Sequence, residues 1–390
     1  MDKFFWGYQR LDGRVGIRNN ILILPCSVCA SDVSRKVASK LDIAVTFNMQ
    51  LGCSQVGSDQ IYTIETITGF AANPNIFAVV LIALGCENAQ LNIIKKRIEE
   101  KTNKPIRSVI IQEVGGSIKA IERATLYAQE LEQMAKQVKR DLFPLSELIV
   151  ATECGGSDPT SGLASNVLIG RISDIMVENG STVVLSETTE FIGAEHILAR
   201  RAKDFRTKSK IYEIIEKYED HIRMNTGLEI RDGNPSPGNK KGGLTTLEEK
   251  SLGCIYKGGT SQINKVYDYS QIIDKGAGLV IMDTPGNDPS SVAGMVAGGC
   301  QIVLFSTGRG TPTGNPIAPI IKITGNRETA VTMRDNIDWD VSPLIYGTES
   351  LDSLSKKLMS RLIDYCNGEL TKAEELGFTE IAIQRTANFV

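Results

Sequence analysis

The chain has 390 residues, 43 Lys and Arg against 46 Asp and Glu, a net charge of −3, and 42% hydrophobic and 23% charged residues. This is ordinary globular composition, long enough for two or three cores. It makes no electrostatic case for binding nucleic acid, and no run of about 18 apolar residues is present to span a membrane. The opening MDKFFWGYQRLDGRVGIRNN has neither the apolar stretch nor the cleavage site of a secretory signal, so a cytoplasmic location is expected.

Taken in chain order, Asn20–Pro25 and Phe77–Leu84 are continuous apolar runs, as in strands buried on both faces, and Ser108–Val114 and Ser146–Glu153 resemble them. Helical periodicity predicts helices over Ser31–Leu41, Asp59–Phe70, Asn88–Glu100 and Ser117–Lys139. A second alternating series follows: a helix over Pro159–Asn179, a strand at Thr182–Leu185, and helices near Glu190–Lys203 and Lys208–Thr226. Strands near Leu279–Met282, Gln301–Phe305 and Ile317–Ile323 and a helix at Leu351–Cys366 complete it. The expectation is an α/β protein with parallel, doubly wound sheets in two consecutive domains, residues 1–140 and 141–390. The segment Asp232–Gly243 has too much Gly and Pro for regular structure, yet it leads into Thr245-x-x-Glu248, which can cap a helix. It reads as an ordered loop on a functional face.

There are two histidines, His196 and His221, so chemistry here must lean on Cys, Lys, Arg, Glu, Asp or Tyr. Of eight cysteines, Cys53, Cys86 and Cys154 each follow an apolar run in a glycine-flanked turn that opens a helix. In a parallel sheet such turns share the carboxyl edge, where ligands bind, and helix N-termini favour the thiolate. Three thiolates leave one position of a catalytic metal open, and soft ligands select iron, an iron–sulfur cluster or zinc. Cys26 and Cys29 form an isolated CxxC; Cys254, Cys300 and Cys366 read as packing residues. The polar stretch from Met282 to Asn326 places Arg309 between two glycines after a buried strand, a guanidinium fork suited to a carboxylate.

The segments GYQRLDGRVGIRN, GCENAQ, ECGGSDPTSG, NKKGGLTTLEEKSLG and TPGNDP…TGRGTPTGNPIAPIIKITGN resemble the altronate and galactarate dehydratase family, in its large catalytic region. The resemblance implies an iron-dependent lyase, with Fe2+ or an iron–sulfur cluster whose iron is open. Such an enzyme eliminates water from a small hydroxy acid, an aldonate or aldarate, to give a 2-keto-3-deoxy acid. The alternatives are elimination of sulfite from 3-sulfolactate, as in the related sulfo-lyase large subunit, and a non-catalytic subunit. Relatives often carry a small SAF-type domain; this chain starts at the large region, which implies a separate SAF-type partner subunit and a homo-oligomer. Relatives also often have histidine near the first Gly-Cys pair, where Met49 and Leu51 stand here.

Under that resemblance Cys53, Cys86 and Cys154 are the expected metal ligands. Removing the proton beside a carboxylate builds charge there, so cations must stand ready. Arg309 is the expected carboxylate clamp. Lys241 and Lys250 are expected as catalytic residues, a desolvated lysine being able to act as base. Thr245, Thr246, Thr311 and Asn326 are candidates for substrate hydroxyls, with Ser157 and Asp158. Glu87, Glu153 and Asp158 adjoin the cysteines and suit proton transfer or support of the ligands, with capping as the other explanation. Turn formation explains Asp283 and Asp288 equally well.

Overall fold

The computed structural model describes residues 3–390. Its strands are β1 (Phe4–Gln9), β2 (Val15–Gly16), β3 (Asn20–Pro25), β4 (Ala44–Val45), β5 (Ile76–Ala83), β6 (Ile106–Ile110) and β7 (Asp141–Pro144). They continue with β8 (Ile149–Cys154), β9 (Thr182–Leu185), β10 (Ile263–Tyr267), β11 (Gly278–Met282), β12 (Ile302–Ser306), β13 (Ile320–Thr324) and β14 (Trp339–Asp340). A four-stranded sheet has the order β4-β3-β5-β6 and a seven-stranded sheet the order β10-β11-β9-β8-β12-β13-β14. All pairs in both are parallel. The expected α/β architecture is therefore present.

Aliphatic residues run continuously along β3 and β5 because both sheet faces are covered. Val33, Ala120, Ala124 and Leu131 pack on Ile21, Ile23 and Val80; Ile67, Phe70, Ile94 and Ile98 pack on Leu22, Leu24 and Val79. The second cluster runs on into the larger sheet through Ile149, Val184, Val280 and Val303, so the two sheets share a core. Asn73 ties them, its Nδ2 donating to the carbonyls of Val296 and Cys300 at 2.8 and 2.9 Å.

A third, small sheet, β2-β1-β7, is antiparallel and too short to show in the apolar periodicity. It explains the motif GYQRLDGRVGIRN. Buried Arg10 donates to the carbonyls of Pro74 and Arg18, while buried Arg18 reaches Glu374 and the carbonyls of Tyr365 and Glu369. These guanidiniums clamp the N-terminal hairpin to the first sheet and to the last helices.

Several boundaries differ from expectation for local reasons. β6 stops at Ile110 because Gly115 and Gly116 turn the chain with positive φ. β13 starts at Ile320 because Pro316 and Pro319 cannot donate to the ladder. No helix is long and apolar enough to cross a membrane.

Between β8 and β12 the strand order reverses: the chain leaves β8 for β9 on one side and later returns to β12 on the other. In open parallel sheets the crevice at the carboxyl ends of such strands is where ligands sit.

Candidate active site

Three strand ends, those of β8, β9 and β11, deliver side chains to the cavity at that crevice. After β8 come Gly155, Gly156 and Ser157, following Glu153 and Cys154 at the strand's own end. After β9 come Glu187 and a short turn, Thr188–Glu190. After β11 a loop leads to the helix Asp288–Ala297. Together with the segment 228–239 and Lys250 they enclose a cavity of about 490 Å³ lined by Cys154, Ser157, Glu187, Glu190, Lys250 and Asp288, among others.

Glu153, Glu187 and Asp288 each bring one carboxylate oxygen within 4.8 Å of the others. Glu153 Oε2 accepts the hydroxyls of Ser186 (2.9 Å) and Ser291 (2.6 Å), while Oε1, equally buried, has no partner. A hydroxyl chain supports it: Ser291 meets Thr284 at 2.9 Å, and Thr284 accepts the backbone N–H of Glu187 at 2.7 Å. Glu187 itself adopts a left-handed φ of 69°, a strained backbone for a non-glycine residue, held by the bonds its carboxylate accepts. A Cβ at Gly155 would lie 2.1 Å from Asp288 Oδ2, so any larger residue there has to displace that carboxylate. Burial, then the charge of Glu187, pushes the Asp288 carboxyl up to about 7 and holds Glu153 well above the usual carboxylate range.

Beneath the carboxylates, Glu187 Oε2 accepts from Lys257 Nζ at 2.9 Å, from the Cys154 amide at 3.0 Å and from Cys154 Sγ at 3.2 Å. Lys257 is wholly buried. Burial opposes its charge, but Cys154 and Glu187 outweigh burial and hold the ammonium charged. Cys154 Sγ lies 3.1 Å from Cys254 Sγ, which donates to Glu190 Oε2 at 3.3 Å. The hydrogen bond with Cys254, then burial, raises the Cys154 thiol. Glu190 also pairs with Lys250 at 2.7 Å.

The expected site residues divide sharply. Ser157 and Lys250 line the cavity, and the Ser157 hydroxyl is buried without a partner. Lys250 differs from expectation in its proton affinity. Burial lowers it, but Glu190, Cys254 and Cys154 together raise it, so Lys250 stands as a fixed cation and not as a base. The segment Asp232–Gly243, expected to lack regular structure, instead holds the short helix Pro237–Lys241, capped by Ser236, and lies against the site, with Asn239 Nδ2 donating to the carbonyl of Ser157 at 2.9 Å. Lys241 is exposed and lies outside the cavity lining.

Cys53, Cys86 and Cys154 are not drawn together at ion distance. Among the described residues, the one group of three Cys, His, Asp or Glu donors within 4.8 Å of one another is the carboxylate group above. Cys53 and Cys86 follow β4 and β5 in the four-stranded sheet, whereas Cys154 ends β8 in the seven-stranded one. Glu87 belongs to that first sheet too, its carboxylate accepting the amides of Leu84 (2.9 Å) and Gly85 (2.6 Å).

The remaining hydroxyl and amide candidates are engaged locally. Thr246 caps the helix Leu247–Cys254, and Thr245 donates to Glu249. Asp158 caps its own turn through Thr160 and Ser161 and accepts from Asn326 Nδ2 at 2.8 Å, while Asn326 Oδ1 caps the helix Arg327–Thr332. Thr311 bonds Thr313. Arg309 is exposed, its amide donating to the Gly156 carbonyl at 2.9 Å, and its side chain does not line the cavity. Cys254, expected as packing, faces Cys154. Glu187 and Lys257 carried no motif; the signal available for Glu187 was its place just past a buried strand.

The family model described as D-galactarate/Altronate dehydratase, C-terminal, matches residues 145–389, and that described as D-galactarate dehydratase/Altronate hydrolase, second domain, matches residues 7–137. The chain belongs to the D-galactarate/altronate dehydratase family. It is 35% identical to an altronate dehydratase of Escherichia coli (strain K12) over 96% of this chain and 76% of that one. It is 34% identical to an altronate dehydratase of Bacillus subtilis (strain 168) over 98% of this chain and 78% of that one. It is also 34% identical to the (2R)-sulfolactate sulfo-lyase subunit beta of Chromohalobacter salexigens over 98% of this chain and 97% of that one. Every residue of the cavity floor lies in the C-terminal match.

Proposed function

We propose that the protein is a hydro-lyase that eliminates water from a sugar acid, an aldonate or aldarate such as altronate or galactarate, to give a 2-keto-3-deoxy acid. The observation that carries this reading within the family is the convergence of Glu153, Glu187 and Asp288 at the carboxyl edge of the switch-point strands. These carboxylates suit a divalent cation, and the partnerless Glu153 Oε1 fits a ligand atom. With the thiol pair alongside, a borderline ion such as Fe2+ is the cation we favour, as an ion and not as an iron–sulfur cluster, because the converging donors are oxygens. Such a cation, when bound, supplies Lewis acidity to the substrate oxygens it touches. Lys250, kept charged by Glu190, provides the fixed positive charge for a substrate carboxylate whose negative charge grows as the α-proton leaves. Ser157 Oγ and Thr189 Oγ1, both buried without partners on residues that line the cavity, are the atoms we assign to substrate hydroxyls.

The test is an anaerobic screen of purified protein against aldonates, aldarates and 3-sulfolactate, with added Fe2+ or Mn2+ and with chelator. Keto-acid formation that chelator removes is expected. Sulfite release from sulfolactate without keto-acid formation from any sugar acid would overturn the dehydratase reading. We also propose a small SAF-type partner subunit and a homo-oligomeric assembly. A relative matched over 97% of its own length is named as a subunit beta, which supports the partner. Co-expression with such a subunit, followed by size-exclusion chromatography with light scattering, tests both.

A further inference from the structure

A second cavity, of about 290 Å³, adjoins the first, and Ser157 and Lys250 line both. The two thiols 3.1 Å apart stand one in each lining, Cys154 in the first and Cys254 in the second. The second cavity differs in chemistry. Leu163, Leu244, Leu252 and Tyr256 give it carbon faces. Two buried polar atoms of its lining have no partner: Ser157 Oγ and Asn166 Oδ1, on residues 4% and 1% exposed.

The amide of Asn166 is oriented by its Nδ2, which donates to the carbonyl of Gly253 at 2.9 Å. Oδ1, a pure acceptor, is therefore the atom left unpaired. A buried acceptor without a donor costs about 1–3 kcal/mol, so a ligand that donates a hydroxyl there is favoured. Carbon walls with hydroxyl-seeking atoms match a polyhydroxylated carbon chain.

We infer that the second cavity is the subsite for the distal end of the sugar-acid chain, the carbons beyond the reacting C2–C3 unit, and that Asn166 is its specificity-determining residue. This rests on the first cavity being the reacting centre. The experiment compares wild type, Asn166→Leu and Leu163→Trp on a six-carbon aldonate and on a four-carbon 2,3-dihydroxy acid. Asn166→Leu removes the acceptor at similar size; Leu163→Trp fills the cavity from its exposed rim and leaves the Asn166–Gly253 bond intact. In both variants kcat/KM on the six-carbon acid should fall about tenfold to a hundredfold, and on the four-carbon acid it should stay within about twofold. Equal losses on the two acids, or no loss on either, would overturn the subsite. Should wild type turn over neither acid, the proposed reaction fails, and calorimetric binding of the six-carbon aldonate to wild type and Leu163→Trp still decides the subsite. Equal affinity, or no binding to wild type, overturns it.

Discussion

Lys257→Met removes the one ammonium bonded to Glu187 and leaves a buried carboxylate facing Glu153 and Asp288. Both partners are sealed from solvent, at 0% and 2% side-chain exposure, and 2.9 Å apart. At that distance an effective dielectric near 20 gives an attraction of about 6 kcal/mol. Removing one partner of a buried pair costs about 3–5 kcal/mol, because the other charge stays behind unpaired. At about 2.1 cal/mol/K per residue, a unit of this size loses about 1 °C per kcal/mol, so the melting temperature should drop by about 4–6 °C. Glu187→Gln in the same background removes the stranded charge while keeping an oxygen for the Cys154 amide, so the double variant should regain most of the loss. Saturating Mn2+ should raise the melting temperature of Lys257→Met more than that of wild type, since the lost ammonium and the cation neutralise the same carboxylates. The assay is calorimetric melting of the four proteins of the cycle, with and without Mn2+. A loss below about 1 kcal/mol for Lys257→Met, or a double variant no more stable than the single, would refute the argument that this pair neutralises the cavity floor.

Gly155→Ala should cost about 1–3 kcal/mol by overpacking and weaken Mn2+ binding measured by calorimetry, since the new Cβ must displace Asp288. Unchanged binding would separate Asp288 from the cation. Arg309→Ala should lower kcat/KM by less than about tenfold, through KM, as expected of an exposed charge that steers an anion; a loss of 10² or more in kcat would put the guanidinium at the reacting centre. Burial pushes the Asp12 carboxyl up, but the hydrogen bond and charge of Arg14 outweigh it and leave it at about 2. Its depressed pKa stabilises the fold above its unfolded value near 4, and that stability is lost as pH falls from about 4 to about 2. The shift corresponds to about 2 kcal/mol at most, and screening at this partly exposed carboxylate reduces it to about 1 kcal/mol. Asp12→Asn should flatten that part of the stability curve in acid-titrated urea melts, and an unaltered slope would remove Asp12 from it.

The sheets were legible because parallel strands covered on both faces must be apolar throughout, as β3, β5 and β12 are. The small strands β1, β2 and β7 were not, since an edge hairpin with exposed Phe4, Trp6 and Leu142 has no such pattern. Strand-end logic selected Cys154 and Ser157, which line the cavity, and for the same reason Cys53, Cys86 and Glu87, which do not. Position after a strand says which edge a residue occupies but not which sheet. Lys250 was found from its motif, yet its charge state depends on Glu190, 60 residues away and in no recognisable pattern. Cys254 and Lys257 meet Cys154 and Glu187 across 100 and 70 residues, contacts that local periodicity does not encode. Thr246, Asp158 and Asn326, polar residues in specific motifs, hold helix and turn starts.

The contacts that tie down the polar stretch from Met282 to Asn326 match the carboxylates it helps to hold. Three carboxylates that close together repel, and with all of them ionised beside one ammonium the floor carries two excess negative charges, the complement of one divalent cation. Without a cation, protons take that place, which is why burial and mutual repulsion push Asp288 to about 7 and Glu153 higher than usual. A loose loop would relieve the repulsion by letting Asp288 swing away. Here Asn287 caps the helix that Asp288 opens, Gly155 admits the carboxylate against β8, and the Thr284–Ser291–Glu153 hydroxyls tie the β11 loop to the β8 end. Buried Lys322 holds the β12 loop from beneath, donating to the carbonyls of Pro312 and Thr313. The glycines and prolines of the stretch let its backbone approach the sheet, and the buried strands on either side hold the acids where a cation is the favourable neighbour.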